Sequence, residues 1–286
     1  MIEISVATSC LDNSESVRYA IERAIEHGFN GVEFNAPSVY LSKQTLVDLK
    51  WMFEMSQEHE LRYTHHFPPS ALPGSHVVAT RERDLEDFSQ EIFVAGELGV
   101  EVMVLHPGRL HVPGVEREEV SEEDRAISMS HFIDWVKDAA VEAENAGVVI
   151  GLENMHYNPG WVIRSHQELA DAVDEIDSPA VGITFDVGHA WGSGGIEAGI
   201  ETFGDRIKHV QTHDARGPEG AGNVRDQHME IGTGLIDFSA DGAIGKLVAS
   251  GSSNGPFIVA LETSGRNPER EGIALRSRDL LRGLWD

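Results

Sequence analysis

The stretch Val181-Gly-Ile-Thr-Phe-Asp186 alternates large apolar residues with small or polar ones and ends in a carboxylate. Because side chains alternate across a β-strand, positions 181, 183 and 185 present a large apolar face, and Gly182, Thr184 and Asp186 present the opposite face. The large face suits packing under outer helices, whereas the small face suits the crowded interior of a closed barrel. The pattern predicts a barrel strand that places Asp186 at the carboxyl-terminal mouth.

Short apolar runs alternate with longer amphipathic stretches along the whole chain. The predicted strands are Ile2–Ala7, Gly31–Phe34, Leu61–His66, Val100–His106, Val148–Glu153, Val181–Asp186, Ile207–His213 and Phe257–Glu262. The predicted helices lie near 14–27, 43–59, 79–98, 121–146, 165–176, 195–204, 237–250 and 268–284. Several of these helices run into a glycine and then the next strand, at Gly28, Gly99 and Gly147, which is typical of helix ends.

Eight β-then-α units with no break in composition predict one (β/α)₈ TIM barrel, a single α/β domain over residues 1–286. An open, doubly wound sheet is the alternative. It normally has fewer strands, and no glycine-rich phosphate fingerprint follows the first strand here. The longest irregular piece, Ala215–Thr233, is rich in glycine and polar residues and follows the seventh strand.

The charge of the chain restricts its partners and its habitat. There are 48 acidic against 22 basic residues, a formal net charge of −26. A dispersed acidic surface poor in lysine predicts a halophilic protein, because concentrated salt screens most self-repulsion. The same charge argues against nucleic-acid and membrane binding, which use basic patches. Three features together predict a cytoplasmic protein. The chain has a single cysteine, Cys10, it has no apolar run of about 20 residues, and its N-terminus has the pattern of a strand and not of a signal peptide.

Metal-binding side chains end several of the predicted strands. Strands five to eight bring the predicted core ligands to the mouth, namely Glu153, Asp186, Gln211 and Glu262. Earlier strands add Glu33, His66 and His106, while parity places His65 outside. Carboxylates this close together repel one another unless a cation or shared protons offset the charge, so a divalent metal is predicted.

The ligand types indicate which metals suit the site. Carboxylate, amide and imidazole groups without thiolate favour Mn²⁺, Mg²⁺ or Co²⁺, and Zn²⁺ also binds such a set. Gln211 is the weak member, because a neutral amide binds less well than imidazole, and His213 or His209 on the same face is the alternative. Two further acid–imidazole pairs, Asp186 with His189 and Asp226 with His228, add candidate ligands.

A metal flanked by two glutamates suits proton abstraction next to a carbonyl group. The metal binds carbonyl and hydroxyl oxygens and stabilises an enediolate, while one of Glu153 and Glu262 removes a proton and the other returns it. Isomerisation of aldoses and ketoses and epimerisation beside a keto group both need this chemistry. Metal-assisted phosphodiester hydrolysis needs more ligands, which hold two or three ions.

Six short motifs together resemble the xylose isomerase-like TIM barrel superfamily, which includes sugar-phosphate isomerases and epimerases and endonuclease IV. They are G-F-N-G-V-E-F at 28–34, L-H-P-G at 105–108, G-L-E-N at 151–154, F-D-V-G-H at 185–189, D-Q-H…G-T-G at 226–234 and L-E-T at 261–263. The epimerase branch implies one metal on Glu153, Asp186, Gln211 and Glu262, with both glutamates as the acid–base pair. It also implies that His189 and Arg216 contact substrate oxygens, and that the substrate is a sugar or sugar phosphate of carbohydrate metabolism. His66, His106 and Glu33, at the ends of earlier strands, are further candidates for substrate contacts.

The endonuclease IV branch is the alternative that the resemblance offers, acting on abasic DNA. Eight of its nine zinc ligands are matched, by His66, His106, Glu153, Asp186, His189, Asp226, His228 and Glu262, with Gln211 at the ninth position. Zinc would be favoured in such a multinuclear site. The N-terminal third departs from that branch, with Val6–Cys10 and Asn35–Tyr40 in place of its opening pattern and DNA-contacting loop. We therefore expect the small-molecule branch, with neither nucleic acid nor a membrane as partner; a homo-oligomer is compatible with this expectation. The third alternative is a barrel that binds a ligand without converting it.

Overall fold

The computed structural model describes residues 2–35, 37–222, 227–251, 255–263 and 267–286. Its strands are β1 Glu3–Ala7, β2 Gly31–Asn35, β3 Arg62–His66, β4 Val100–Leu105, β5 Val149–Glu153, β6 Val181–Asp186, β7 Ile207–Thr212 and β8 Ile258–Leu261. Each strand pairs in parallel with its neighbours in sequence, and β8 returns to pair with β1, which closes the barrel. The predicted (β/α)₈ TIM barrel is confirmed.

The helices between the strands are α1 Val17–His27, α2 Leu46–His59, α3 Val78–Leu98, α4 Glu122–Ala146, α5 His166–Ile176, α6 Val187–Ser193, α7 Ile196–Phe203, α8 Ala243–Ser250 and α9 Arg270–Trp285. The predicted glycine ends are confirmed, because Gly28, Gly99 and Gly147 follow α1, α3 and α4 with left-handed φ values of 68°, 71° and 70°. Among the described residues, no helix combines the length and the apolar character needed to cross a membrane.

The short helix α6 is absent from the sequence prediction, which placed only a strand end there. Asp186 caps it, since its carboxylate accepts the His189 backbone N–H at 2.6 Å. An aspartate at this point is a recognisable capping signal, but seven residues containing two glycines show no helical apolar period. The cap fixes the positions of Asp186 and His189 relative to each other.

The predicted alternation of strand faces agrees with the packing. On the interior face, a Cβ added to Gly151 would overlap Thr184 Oγ1 and lie 2.9 Å from Val102 Cγ1, so the barrel interior is filled. The prediction that His65 faces outward is confirmed, because its Nε2 lies 3.0 Å from Glu91 of α3.

Three predicted strands end earlier than the sequence pattern indicated. β4, β7 and β8 stop at Leu105, Thr212 and Leu261. His106, His213 and Glu262 therefore lie just beyond the ladder, where the backbone leaves the sheet at the mouth.

Candidate metal centre at the barrel mouth

Glu153, the last residue of β5, contacts imidazoles from three other parts of the mouth. Its Oε2 lies 3.2 Å from His66 Nε2 and 2.9 Å from His106 Nε2, and its Oε1 lies 2.9 Å from His189 Nδ1. Burial opposes ionisation of this carboxyl group, but the charge of His106 and the imidazole hydrogen bonds outweigh it. The pKa of Glu153 is therefore held well below its ordinary value.

The pKa values of two imidazoles beside Glu153 are shifted in opposite directions. Burial favours neutral His66, but the hydrogen bond and charge of Glu153 prevail and raise the pKa of His66 to about 10. The pKa of His106 is lowered, because burial and the charge of the neighbouring His66 outweigh the attraction of Glu153. In the metal-free protein a proton on His66 thus supplies the positive charge that this carboxylate requires.

Asp186 forms a second group with His189 and His213. One ligand atom from each of these three buried residues lies within 4.8 Å of the others, as also holds for His66, His106 and Glu153. His213 Nε2 is 3.3 Å from Asp186 Oδ1. Burial opposes ionisation of Asp186, yet the charges of His189 and His213 lower its pKa. The two groups adjoin, because His189 contacts both Asp186 and Glu153.

Glu262 has a different environment from Glu153. Its Oε1 accepts a hydrogen bond from the Asn35 side-chain amide at 3.1 Å, and its backbone carbonyl accepts one from His228 Nδ1 at 2.5 Å. Burial and the negative charge of Glu33 raise the pKa of Glu262 to about 8. The two glutamates at the mouth therefore differ in protonation near neutral pH.

Glu33 and Gln211 form a polar layer deeper in the barrel. Glu33 accepts hydrogen bonds from Thr64 Oγ1 at 3.0 Å, His209 Nε2 at 2.8 Å and Gln211 Nε2 at 2.9 Å. Burial opposes ionisation, but these bonds and the charge of His209 lower the pKa of Glu33 to about 2. Because Gln211 donates through its nitrogen to Glu33, its amide oxygen is turned away from that carboxylate.

The orientation of the imidazoles fits a bound cation. Nδ1 of His66, His213 and His228 lies 2.7, 3.2 and 2.5 Å from the backbone carbonyl oxygen of Phe67, Asp214 and Glu262, respectively. A carbonyl oxygen only accepts, so Nδ1 carries a proton, and Nε2 would present its lone pair to a cation when the ring is neutral. Metal-binding histidines are commonly oriented in this way.

Two buried oxygen atoms at the mouth also fit a cation. Asp186 Oδ2 and Gln211 Oε1 are inaccessible and have no hydrogen-bond partner within the described part of the chain. Their residues are paired in the register of β6 and β7, so they lie side by side at one level of the barrel. A buried unsatisfied acceptor is costly, and a divalent cation would satisfy both atoms.

Two residues that the sequence analysis missed hold this site together. The Asn154 amide accepts the Asp186 backbone N–H and donates to the Asp186 carbonyl, both at 2.9 Å, which ties the ends of β5 and β6. Asp214 accepts backbone N–H groups of Ala215, Gly232, Gly234 and Ile236. Asn154 is part of the G-L-E-N motif, and Asp214 directly follows the predicted seventh strand. Strand parity does not reveal their roles, because both side chains bond to backbone groups.

Two further predicted site residues, Arg216 and His228, lie at the edge of this arrangement. Arg216 is exposed in the loop after β7, with its guanidinium 3.1 Å from the Thr233 carbonyl oxygen. His228 is half-buried, with its ring stacked on His213 at a centroid distance of 4.4 Å. Asp226 lies outside the described residues.

Comparison with known proteins gives one family match over most of the chain. The sequence model of a family described as Xylose isomerase-like TIM barrel matches residues 21–284. An uncharacterized protein of Methanocaldococcus jannaschii, MJ1311, is 32% identical over 231 residues, which cover 78% of this chain and 73% of that protein.

Two other similarities concern proteins with functional descriptions. A probable endonuclease 4 of Mesomycoplasma hyopneumoniae strain J is 23% identical over 184 residues, which cover 61% of either chain. This chain thus spans about three fifths of that relative. The crystal structure of a D-tagatose 3-epimerase-like protein superposes with a TM-score of 0.74 at 26% identity and covers 99% of both chains.

Proposed function

We propose that this chain, which belongs to the xylose isomerase-like TIM barrel family, is a metal-dependent isomerase or epimerase of sugars, sugar phosphates or related hydroxy-carbonyl compounds. The observation that carries the proposal is the pair of buried glutamates at the mouth, Glu153 at the end of β5 and Glu262 just beyond β8, beside groups of imidazoles and carboxylates that could hold a metal. Two carboxyl groups that flank a metal suit the roles of base and acid in proton transfer next to a carbonyl group. The similarity to a D-tagatose 3-epimerase-like protein supports the same reading.

The metal in this proposal is held by Glu153, Asp186, Gln211 and Glu262. Mn²⁺, Mg²⁺ or Co²⁺ suits these ligands, because three are carboxylates and the fourth offers an amide oxygen. When bound, a divalent ion polarises a substrate carbonyl group and offsets the negative charge that develops on its oxygens. The two unsatisfied oxygens of Asp186 and Gln211 support this assignment.

The protein side chains move the proton. Glu153 is the proposed base, because its carboxyl group is anionic and can accept the proton from the substrate carbon. Glu262 is the proposed acid, which returns a proton to the opposite side of the substrate. His66, His106 and His189 surround Glu153. In this proposal the three imidazoles also contact substrate oxygens.

Exchange of a carbon-bound substrate proton with solvent deuterium tests this function. Ketoses, hydroxy-aldehydes and their phosphates would be screened by nuclear magnetic resonance with Mn²⁺ present. We expect metal-dependent exchange into at least one substrate, reduced by about 10²–10⁴-fold in Glu153→Gln and Glu262→Gln. Glu91→Gln is the matched control, since Glu91 is also buried and imidazole-bound but lies outside the barrel. No exchange with any substrate, or equal exchange in all variants, would refute the proposal.

Phosphodiester hydrolysis is the second candidate function. It is favoured by the presence of two imidazole–carboxylate groups, because metal-dependent nucleases hold two or three ions. The similarity to a probable endonuclease 4 supports it as well. Incubation with duplex DNA containing an abasic site separates the two functions: nicking that is lost in Glu262→Gln, without any proton exchange on sugars, would replace the isomerase proposal.

A further inference from the structure

We propose that His213, together with Asp186 and His189, forms a second divalent-cation site beside the one that Gln211 serves. The resemblance puts the ligand from the seventh strand at position 211, where this chain has glutamine. His213 stands two residues further along, just beyond the end of β7 at the mouth. His213 thus supplies an imidazole at the mouth, although position 211 is glutamine. This imidazole lies next to Asp186 Oδ1 and the start of α6.

The geometry of His213 is that of a ligand held in place. The residue is fully buried, its Nδ1 donates to the Asp214 carbonyl at 3.2 Å, and its Nε2 faces Asp186 Oδ1 at 3.3 Å. Two ligand atoms about 2.0–2.1 Å from a tetrahedral zinc ion are about 3.3 Å apart. The separation of nitrogen and oxygen therefore matches one edge of a tetrahedral site.

Gly188 is shaped around the His213 ring. A Cβ added to Gly188 would lie 2.5 Å from both ring nitrogens of His213, closer than any real contact. On its other side the ring stacks on His228 with an interplanar angle of 28°. The glycine in the D-V-G-H motif thus has a specific role: it leaves the space that His213 occupies between α6 and His228.

Gln211 and His213 serve different positions. The Gln211 amide is bonded to Glu33, so its oxygen remains for the cation of the proposed reaction. Asp186 offers one oxygen to each position, since Oδ1 faces His213 while Oδ2 has no hydrogen-bond partner in the described chain. Two imidazoles and one carboxylate oxygen favour Zn²⁺ or Co²⁺ at the second position over Mg²⁺.

Metal content and the visible spectrum of bound Co²⁺ test the second site without any substrate. The apo protein would be titrated with Co²⁺ and its bound metal measured after gel filtration, for the wild type, His213→Asn and Gly188→Ala. We expect about two ions per chain in the wild type and about one in each variant, with loss of the intense tetrahedral Co²⁺ absorption. Gly188→Ala removes no donor atom, so its effect would arise through displacement of the His213 ring.

Gly283→Ala, in α9 with open space around it, is the control substitution and should retain both ions. Circular dichroism verifies folding, and if Gly188→Ala does not fold, His213→Asn alone decides. Full Co²⁺ content with an unchanged spectrum in His213→Asn would overturn the second site. The Co²⁺ titration does not involve turnover. A negative proton-exchange screen would therefore not refute the second cation site, and absence of a second cation site would not refute the proposed isomerase or epimerase function.

Discussion

Glu262 is buried near a second carboxylate, Glu33, and its pKa is raised to about 8. In the unfolded chain this carboxyl group loses its proton near its ordinary value of 4.5. The folded metal-free protein therefore holds the extra proton between about pH 4.5 and 8, and its stability from this source falls as pH rises through that window. The contribution of the Glu262 proton to the stability of the folded protein is greatest at low pH and is lost above about pH 8.

Glu262→Gln is expected to remove this pH dependence, because glutamine stays neutral. In urea denaturation with a chelator present, the variant should gain stability relative to the wild type between pH 5 and pH 8.5, on the order of a few kcal/mol. Glu91→Gln serves as a buried control without this trend. Wild-type and Glu262→Gln stabilities that run parallel over the whole pH range would contradict the assigned environment of Glu262.

At the scale of secondary-structure elements, β5 depends on a glycine that faces the barrel interior. An added Cβ on Gly151 would overlap Thr184 Oγ1 of β6 and crowd Val102 of β4. Both neighbours belong to strands fixed by their ladders, so neither gives way easily. We expect Gly151→Ala to lower the free energy of unfolding by about 1–3 kcal/mol.

Gly283→Ala provides the comparison for Gly151→Ala, because it adds the same methyl group to the exposed face of α9. That substitution should leave stability unchanged or raise it by up to about 1 kcal/mol. Thermal and urea unfolding measure both. A Gly151→Ala protein as stable as the wild type would show that the strands separate to accept the methyl group.

At the scale of the whole molecule, the most pronounced feature of the sequence is a formal net charge of −26. Self-repulsion among 48 acidic residues destabilises the compact state in dilute buffer, and salt screens it with a Debye length near 3 Å at 1 M. We expect the melting temperature to rise by several degrees, about 5 °C or more, from dilute buffer to molar KCl. Sucrose at equal osmolality is the uncharged control. A melting temperature that KCl does not raise beyond sucrose would refute the predicted halophilic character.

The barrel could be predicted from local patterns in the amino-acid sequence. Eight apolar runs separated by amphipathic stretches, and glycines such as Gly28 at helix ends, are local signals that need no knowledge of distant contacts. Parity along β6 also gave the inward direction of Asp186, because a strand repeats every two residues. The same rule found Glu153 and Glu262 as mouth residues.

Which of these side chains contact one another depends on the closed barrel and could not be predicted from local patterns. His66 and Glu153 come from strands that are not neighbours, and Glu33 reaches Gln211 from across the barrel, so no local pattern pairs them. The caps and carbonyl bonds that fix Asp186 and His213 also depend on backbone paths after the strands end. Strand periodicity sets which way a residue points, whereas barrel closure and loop paths set what it touches.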